Sequence, residues 1–217
     1  MMSAAGWLPA ILTLAVIVAY EAWLALAQRA RPHALARSAH ASLREDWFEA
    51  ISEQPGSEIL AVQTLRNSLM SASMTASTAV LALMGSITLA APSLHASFDA
   101  MGGGFAAPTP RLAMELLLLL LLFSSLASSV MAVRYYTHAG FIGGMPVQSG
   151  SRRRWAAAGR DYVRRAGILY SWSLRNLLLI APVVAFMLHP VAGPIAAVVV
   201  VSVLSIFDRA KSAPADL

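Results

Sequence analysis

Apolar residues in this chain are gathered into runs about as long as a bilayer is thick. A helix needs roughly 20 apolar residues to cross the hydrocarbon core. Runs from about Trp7 to Ala27, Ser68 to Ala90, Leu112 to Val133, Ile168 to Leu188 and Val191 to Phe207 reach or approach that length. Only 12% of the 217 residues are charged, about half the share in an ordinary soluble domain, roughly 25%. Inside a bilayer every backbone N–H and C=O must be satisfied within the chain, which leaves helices as the spanning element for such runs. The expected fold is therefore all-α, a polytopic membrane helical bundle. It has five transmembrane helices and two cytoplasmic-side amphipathic surface helices in one membrane domain, residues 1–217.

The ends of these runs carry the local signals. Met1 to Gly6 contains no basic residue ahead of the first run, unlike a secretory signal peptide, so that run reads as an uncleaved first helix. Between the last two runs, His189-Pro190-Val191-Ala192-Gly193-Pro194 holds two prolines and a glycine, which end one helix and begin the next. Ala91 to Arg111, with Pro92, Gly102, Gly103, Gly104, Pro108 and Pro110, reads as an irregular, mobile outer loop. The three glycines follow no strand, so they are not read as a phosphate cradle.

Charge sets an orientation. Basic residues concentrate on the cytoplasmic side of short loops. Five spans with the N-terminus outside place 15 of the 16 Lys and Arg residues on one side and leave Arg111 opposite. The expected setting is a bacterial inner membrane with the C-terminus cytoplasmic. Four spans would put Arg209 and Lys211 on the wrong side. With no cysteine, disulfides, thiolate catalysis and cysteine metal sites are excluded.

Two inner connections have helical patterns. In Ala41 to Gln54, Leu43, Trp47, Ala50 and Ile51 share one face, as in a helix lying at the membrane surface with its tryptophan at headgroup depth. Arg152 to Ala166 repeats the pattern with Trp155, Tyr162 and Ala166. Residues 28–58 carry a net −1 and residues 134–165 a net +6. Trp47, Trp155, Arg152, Arg153 and Arg154 are thus candidates for docking onto anionic lipid or a protein partner.

The tripeptide Leu-Arg-Asn occurs at 65–67 and 174–176, each time near the start of a span. Trp47 precedes Arg66 by 19 positions and Trp155 precedes Arg175 by 20. The pattern suggests an internal parallel repeat, 41–133 and 152–207. It also places two permanent charges beside lipid, which is costly unless protein or water receives them. Glu21 lies at a similar depth. Arg66, Asn67, Arg175, Asn176 and Glu21 form the candidate intramembrane charge cluster, with Glu21 the expected carboxylate partner of one arginine. Glu115 is placed at the outer interface. Ser68, Ser71, Ser73, Thr75, Ser77 and Thr78 in the second run, and Ser124, Ser125, Ser128 and Ser129 in the third, read as tight helix packing. His33, His40, His95, His138 and His189 lie in connections or at helix ends, so neither haem nor metal is expected. No catalytic motif is present, and neither an enzyme nor a cofactor is expected.

Three stretches carry a family resemblance: Gln63-Thr64-Leu65-Arg66-Asn67-Ser68-Leu69-Met70, Arg134-Tyr135-Tyr136-Thr137-His138-Ala139-Gly140-Phe141, and Ser173-Leu174-Arg175 through Gly193-Pro194. They resemble a bacterial and plant membrane-protein family catalogued as domain of unknown function 599. In the last stretch Ser173 stands where the family tends to have glycine, and leucines replace its aromatics. The resemblance covers about Trp7 to Phe207 and implies a multi-pass membrane protein without naming an activity. The expected function is a non-enzymatic structural or accessory component of a membrane assembly. Its partners would be the bilayer, anionic inner-leaflet lipids and other membrane subunits or a second copy, with no nucleic acid. The alternative is a small transporter or channel with an anion site at Arg66 and Arg175.

Overall fold

A computed structural model describes residues 4–30, 36–100 and 109–208. Side chains are described for 6–27, 39–95 and 109–208. Arg29, Arg31, His33, Arg37, Gly102 to Gly104, Arg209 and Lys211 lie outside them. The structure is 92% helix, with no strand among the described residues. Among the described residues seven helices follow in order: α1 (Ala4–Ala30), α2 (Ala36–Glu53), α3 (Glu58–Ala100), α4 (Pro110–Gly143), α5 (Gly150–Leu178), α6 (Ile180–Leu188) and α7 (Ala192–Asp208). Four stretches are long and apolar enough to cross a membrane: Gly6–Ala27, Glu58–His95, Pro110–Gly143 and Gly150–Leu188.

Local chemistry explains the boundaries. The α2–α3 connection is a β-turn in which the Ser57 amide donates to the Gln54 carbonyl at 3.3 Å. Gly56 has φ +86°. Proline followed by a positive-φ glycine is the type II pattern. Thr109 caps α4, its hydroxyl accepting from the Leu112 amide at 3.2 Å, and Pro110 takes the first helical position, where its missing N–H is harmless. Ser149 caps α5 by accepting from the Arg152 amide at 3.1 Å. Between α5 and α6 only Leu179 leaves the helical pattern. Pro182 lacks an N–H and its ring crowds the carbonyl four residues back, that of Leu178, where α5 ends. The break at His189 falls where the two prolines and the glycine predict it, between α6 and α7.

Three expectations are corrected. The outer loop does not begin at Ala91, because α3 continues through Pro92 to Ala100. One proline removes one hydrogen bond, and the small residues around it leave the helix room to continue. The third run extends ten residues past Val133, since nothing before Gly143 breaks α4. The basic stretch 152–166 is not a separate helix ahead of a span at 168; α5 is uninterrupted from Gly150 to Leu178. The two Leu-Arg-Asn copies consequently stand in different settings, the first in the opening turns of α3 and the second in the last turn of α5.

The chain forms two compact units. Unit 1 comprises Met1–Ala30, Thr78–Ser124 and Arg175–Phe207. Its core holds Ile17, Tyr20, Leu118, Leu122, Leu179, Val183 and Phe186. Unit 2 comprises Arg31–Ser77, Ser125–Leu174 and Asp208–Leu217. Its core holds Phe48, Leu65, Ala72, Tyr136, Ile142 and Val163.

In unit 1 the backbone of α7 approaches its neighbours closely at Gly193. A Cβ there would stand 2.7 Å from both Phe186 Cβ and the hydroxyl of buried Thr13. Neither can swing away, because one is fixed to its backbone and the other is held 2.8 Å from the Pro9 carbonyl. Gly193→Val should destabilise the folded protein by about 1–3 kcal/mol through overpacking. Thermal unfolding in detergent, read by circular dichroism, measures the shift.

Candidate functional site

Arg152 has the largest side chain among the fully buried residues, with 1% of its surface exposed. α5 places it one turn inside its Ser149 cap. Its guanidinium donates to the Ile142 carbonyl at the end of α4 and, at 2.9 Å, to the Ser52 hydroxyl on α2. The guanidinium carbon also lies 5.1 Å from the centre of the Phe48 ring, a cation–π distance. Ser52 in turn donates to the Phe48 carbonyl at 2.6 Å. Beside this, the Glu58 carboxylate at the start of α3 accepts from the Val147 amide at 3.0 Å. One buried cation therefore ties α2, α4 and α5 together, and Glu58 secures the connection between α4 and α5. Sequence reading placed Arg152 with Arg153 and Arg154 on a docking surface. Arg153 and Arg154 are exposed, but Arg152 is turned inward, because a helix sends consecutive residues to different faces.

α2 and α5 also meet through complementary charges. Arg160 reaches Glu49 at 3.0 Å and Arg164 reaches Glu45 at 2.9 Å. The numbers rise on one helix as they fall on the other, so the pair is antiparallel. Each side chain in these pairs is more than a third exposed, so each pair contributes about 0–1 kcal/mol and mainly sets register. Arg164 and Arg165 additionally hold Asp161, at 3.1 and 2.7 Å. Much of the basic character of α5 is thus answered within the protein. The signal was present in the sequence as two acids and two arginines, each at four-residue spacing.

The candidate docking tryptophans differ in exposure. Trp155 is 43% exposed, with the Arg154 guanidinium 5.8 Å from its ring centre. Trp47 is half-buried and stands edge-on to Phe48.

Arg66 lies in unit 2 and Arg175 in unit 1. Arg66 and Asn67 are exposed on α3. Arg175 is 5% exposed, and its guanidinium lies 5.5 Å from the Tyr20 ring centre. Glu21, next to Tyr20 on α1, and Asn176 are half-buried. Both Glu21 and Arg175 are engaged with other groups. Glu115 is buried at 2% exposure. It accepts from Arg111 at 3.0 Å and from Ser93 at 3.4 Å.

The serines of the two runs behave differently. Ser125, Ser129 and Ser173 are completely buried in unit 2. Ser173 Oγ lies 2.8 Å from Ser125 Oγ and 2.5 Å from Ser129 Oγ, and donates to the Ser125 carbonyl at 2.9 Å. This is the hydroxyl-mediated packing expected of the third run. In α3, by contrast, Ser68, Ser71, Thr75 and Ser77 donate to carbonyls four residues back at 2.9–3.2 Å. Ser71 and Ser77 are exposed. α3 is the least covered of the four long stretches, 17% buried against 39% for Gly150–Leu188. The expectation of tight packing is met by the small residues Ala72 and Ala79, which are fully buried, while the exposed Ser71 and Ser77 are satisfied within α3 itself.

Four helices long and apolar enough to cross a bilayer, among the described residues, define a multi-pass helical membrane protein. The chain belongs to the family described as "Protein of unknown function, DUF599", which matches residues 9–213. No curated protein and no solved structure matches it.

Removing the Arg152 side chain takes the charged donor from the Ser52 hydroxyl and from the Ile142 carbonyl, which keeps only the Met145 amide at 3.2 Å. Arg152→Ala should cost about 3–5 kcal/mol by combining a large buried truncation with lost charge-assisted hydrogen bonds. Arg152→Lys should recover only part of this, because an ammonium cannot make two planar contacts at once. Unfolding midpoints of the three proteins in one detergent test this; equal midpoints would show that Arg152 carries no structural weight.

Proposed function

We propose that this protein is a non-enzymatic structural or accessory component of a membrane assembly, in a bacterial inner membrane. The single observation behind the reading is the face of α3. Ile59, Leu60, Met70, Leu81, Met84 and Leu89 are all at least half exposed on it. Small residues lie between them, a composition that lets a second membrane helix approach closely. α7, at 17 residues, gives about 25 Å of helix and serves as the fifth span. The N-terminus lies outside and the C-terminus in the cytoplasm, with α2 and the first half of α5 at the inner surface. Glu21 accompanies Arg175 as its compensating carboxylate in this arrangement.

A second reading is a small transporter or channel taking an anion at Arg66 and Arg175. The exposure of Arg66 favours it. Anion flux into vesicles, abolished by Arg66→Gln, would establish that reading in place of the first.

Both parts of the proposal can be tested with single introduced residues, and the cysteine-free chain leaves an introduced cysteine as the one thiol. For topology, Ser42→Cys should resist a membrane-impermeant maleimide in intact cells and react once the membrane is opened; labelling in intact cells would reverse the orientation. For assembly, a photo-crosslinking residue at the exposed Leu81 should form adducts above the 23.0 kDa monomer in native membranes, and one at buried Ala79 should not. A chain that stays monomeric at both positions and extracts alone in mild detergent sinks the assembly reading.

A further inference from the structure

Unit 2 carries an open groove of about 660 Å³ between α3 and the end of α4, with the start of the α4–α5 turn at one end. One wall includes Leu65, Arg66 and Leu69, and the other Tyr136, Gly140 and Phe141. These walls come from 63–70 and 134–141, two of the stretches that carry the family resemblance. The groove is apolar apart from three side chains. The Thr137 hydroxyl already donates to the Val133 carbonyl at 2.8 Å, and the Tyr136 side chain is buried. Arg66 is the one charged group in the lining. It is exposed and makes no ion pair or hydrogen bond among the described residues.

We infer that this groove binds one anionic phospholipid, with its phosphate on Arg66 and an acyl chain lying along Leu69, Tyr136 and Gly140. Charge complementarity identifies the occupant. A purely apolar partner helix would leave an unpaired guanidinium against hydrocarbon, which is strongly unfavourable. A soluble anion would satisfy the charge and leave the apolar groove uncovered. An amphiphile with an anionic head satisfies both surfaces, and the guanidinium fork suits phosphate oxygens. The inference deepens the membrane-component reading and rests on residue 66 lying at the edge of a span. It does not depend on assembly, since lipid retention can be measured on a single chain.

Gly140 allows the groove to be blocked separately from the charge, because a Cβ at this position would meet nothing within 4 Å. The full chain is exchanged into micelles holding equal phosphatidylglycerol and phosphatidylcholine, and retained lipid is counted by native mass spectrometry. The protein should retain phosphatidylglycerol preferentially. Arg66→Gln should reduce that preference about fivefold, the worth of one basic residue near an anionic lipid surface, whereas Arg66→Lys should keep most of it. Gly140→Leu should lower retention with Arg66 intact. The variant Arg160→Gln, whose arginine pairs with Glu49 outside the groove, should bind as the parent does. Circular dichroism confirms that each variant is helical before it is scored. An unchanged lipid preference in folded Arg66→Gln, or unchanged retention in folded Gly140→Leu, would overturn the assignment. So would a polypeptide crosslinked at Phe141 that is displaced by neither substitution.

Discussion

A guanidinium almost without water contact organises unit 2. Burying such a charge is expensive unless its donors find acceptors, and losing one partner leaves the rest of the cost standing. Arg152 meets most of that condition, with an α4 carbonyl and an α2 hydroxyl for its two terminal nitrogens and an aromatic face, while its Nε has no acceptor. The partners come from chain positions far apart, so the residue is satisfied only when α2, α4 and α5 are already assembled. It therefore acts as a specificity device: wrong registers of α2 on α5 leave a cation stranded. The exposed pairs from Arg160 and Arg164 add little energy but favour the same antiparallel register.

This contact also changes the meaning of the charge asymmetry. A net of +6 over residues 134–165 invites a reading as a lipid-binding surface. Arg152 is internal, and Arg160, Arg164 and Arg165 are each paired with a carboxylate. Arg134, Arg153 and Arg154 remain exposed in that stretch. Arg66 on α3, outside that stretch, is the guanidinium that lines the apolar groove. Net charge alone could not separate these roles, since it counts arginines without regard to the face each one occupies.

Hydroxyl groups divide in the same way. Ser125, Ser129 and Ser173 bond across helices and make a dry polar contact in the interior of unit 2. Ser71, Thr75 and Ser77 of α3 bond back to their own helix, which bends a helix slightly and satisfies those hydroxyls without a polar neighbour. Composition in the two runs is similar. What differs is whether a second helix lies opposite, and a sequence window cannot contain that information.

Sequence alone determined the class of object. Long apolar runs require helices, because a bilayer offers backbone groups no other partner. The helix between residues 41 and 54 was legible from its apolar face, and the break after Leu188 from prolines and a glycine, which act over a few positions. The family was legible from three short stretches. Tertiary structure decided the rest. Which arginine turned inward depended on α2 presenting Ser52 and Phe48 at the matching height. Whether Arg66 would be saturated or left facing a groove depended on the spacing of α3 and α4, a distance set by all the side chains between them.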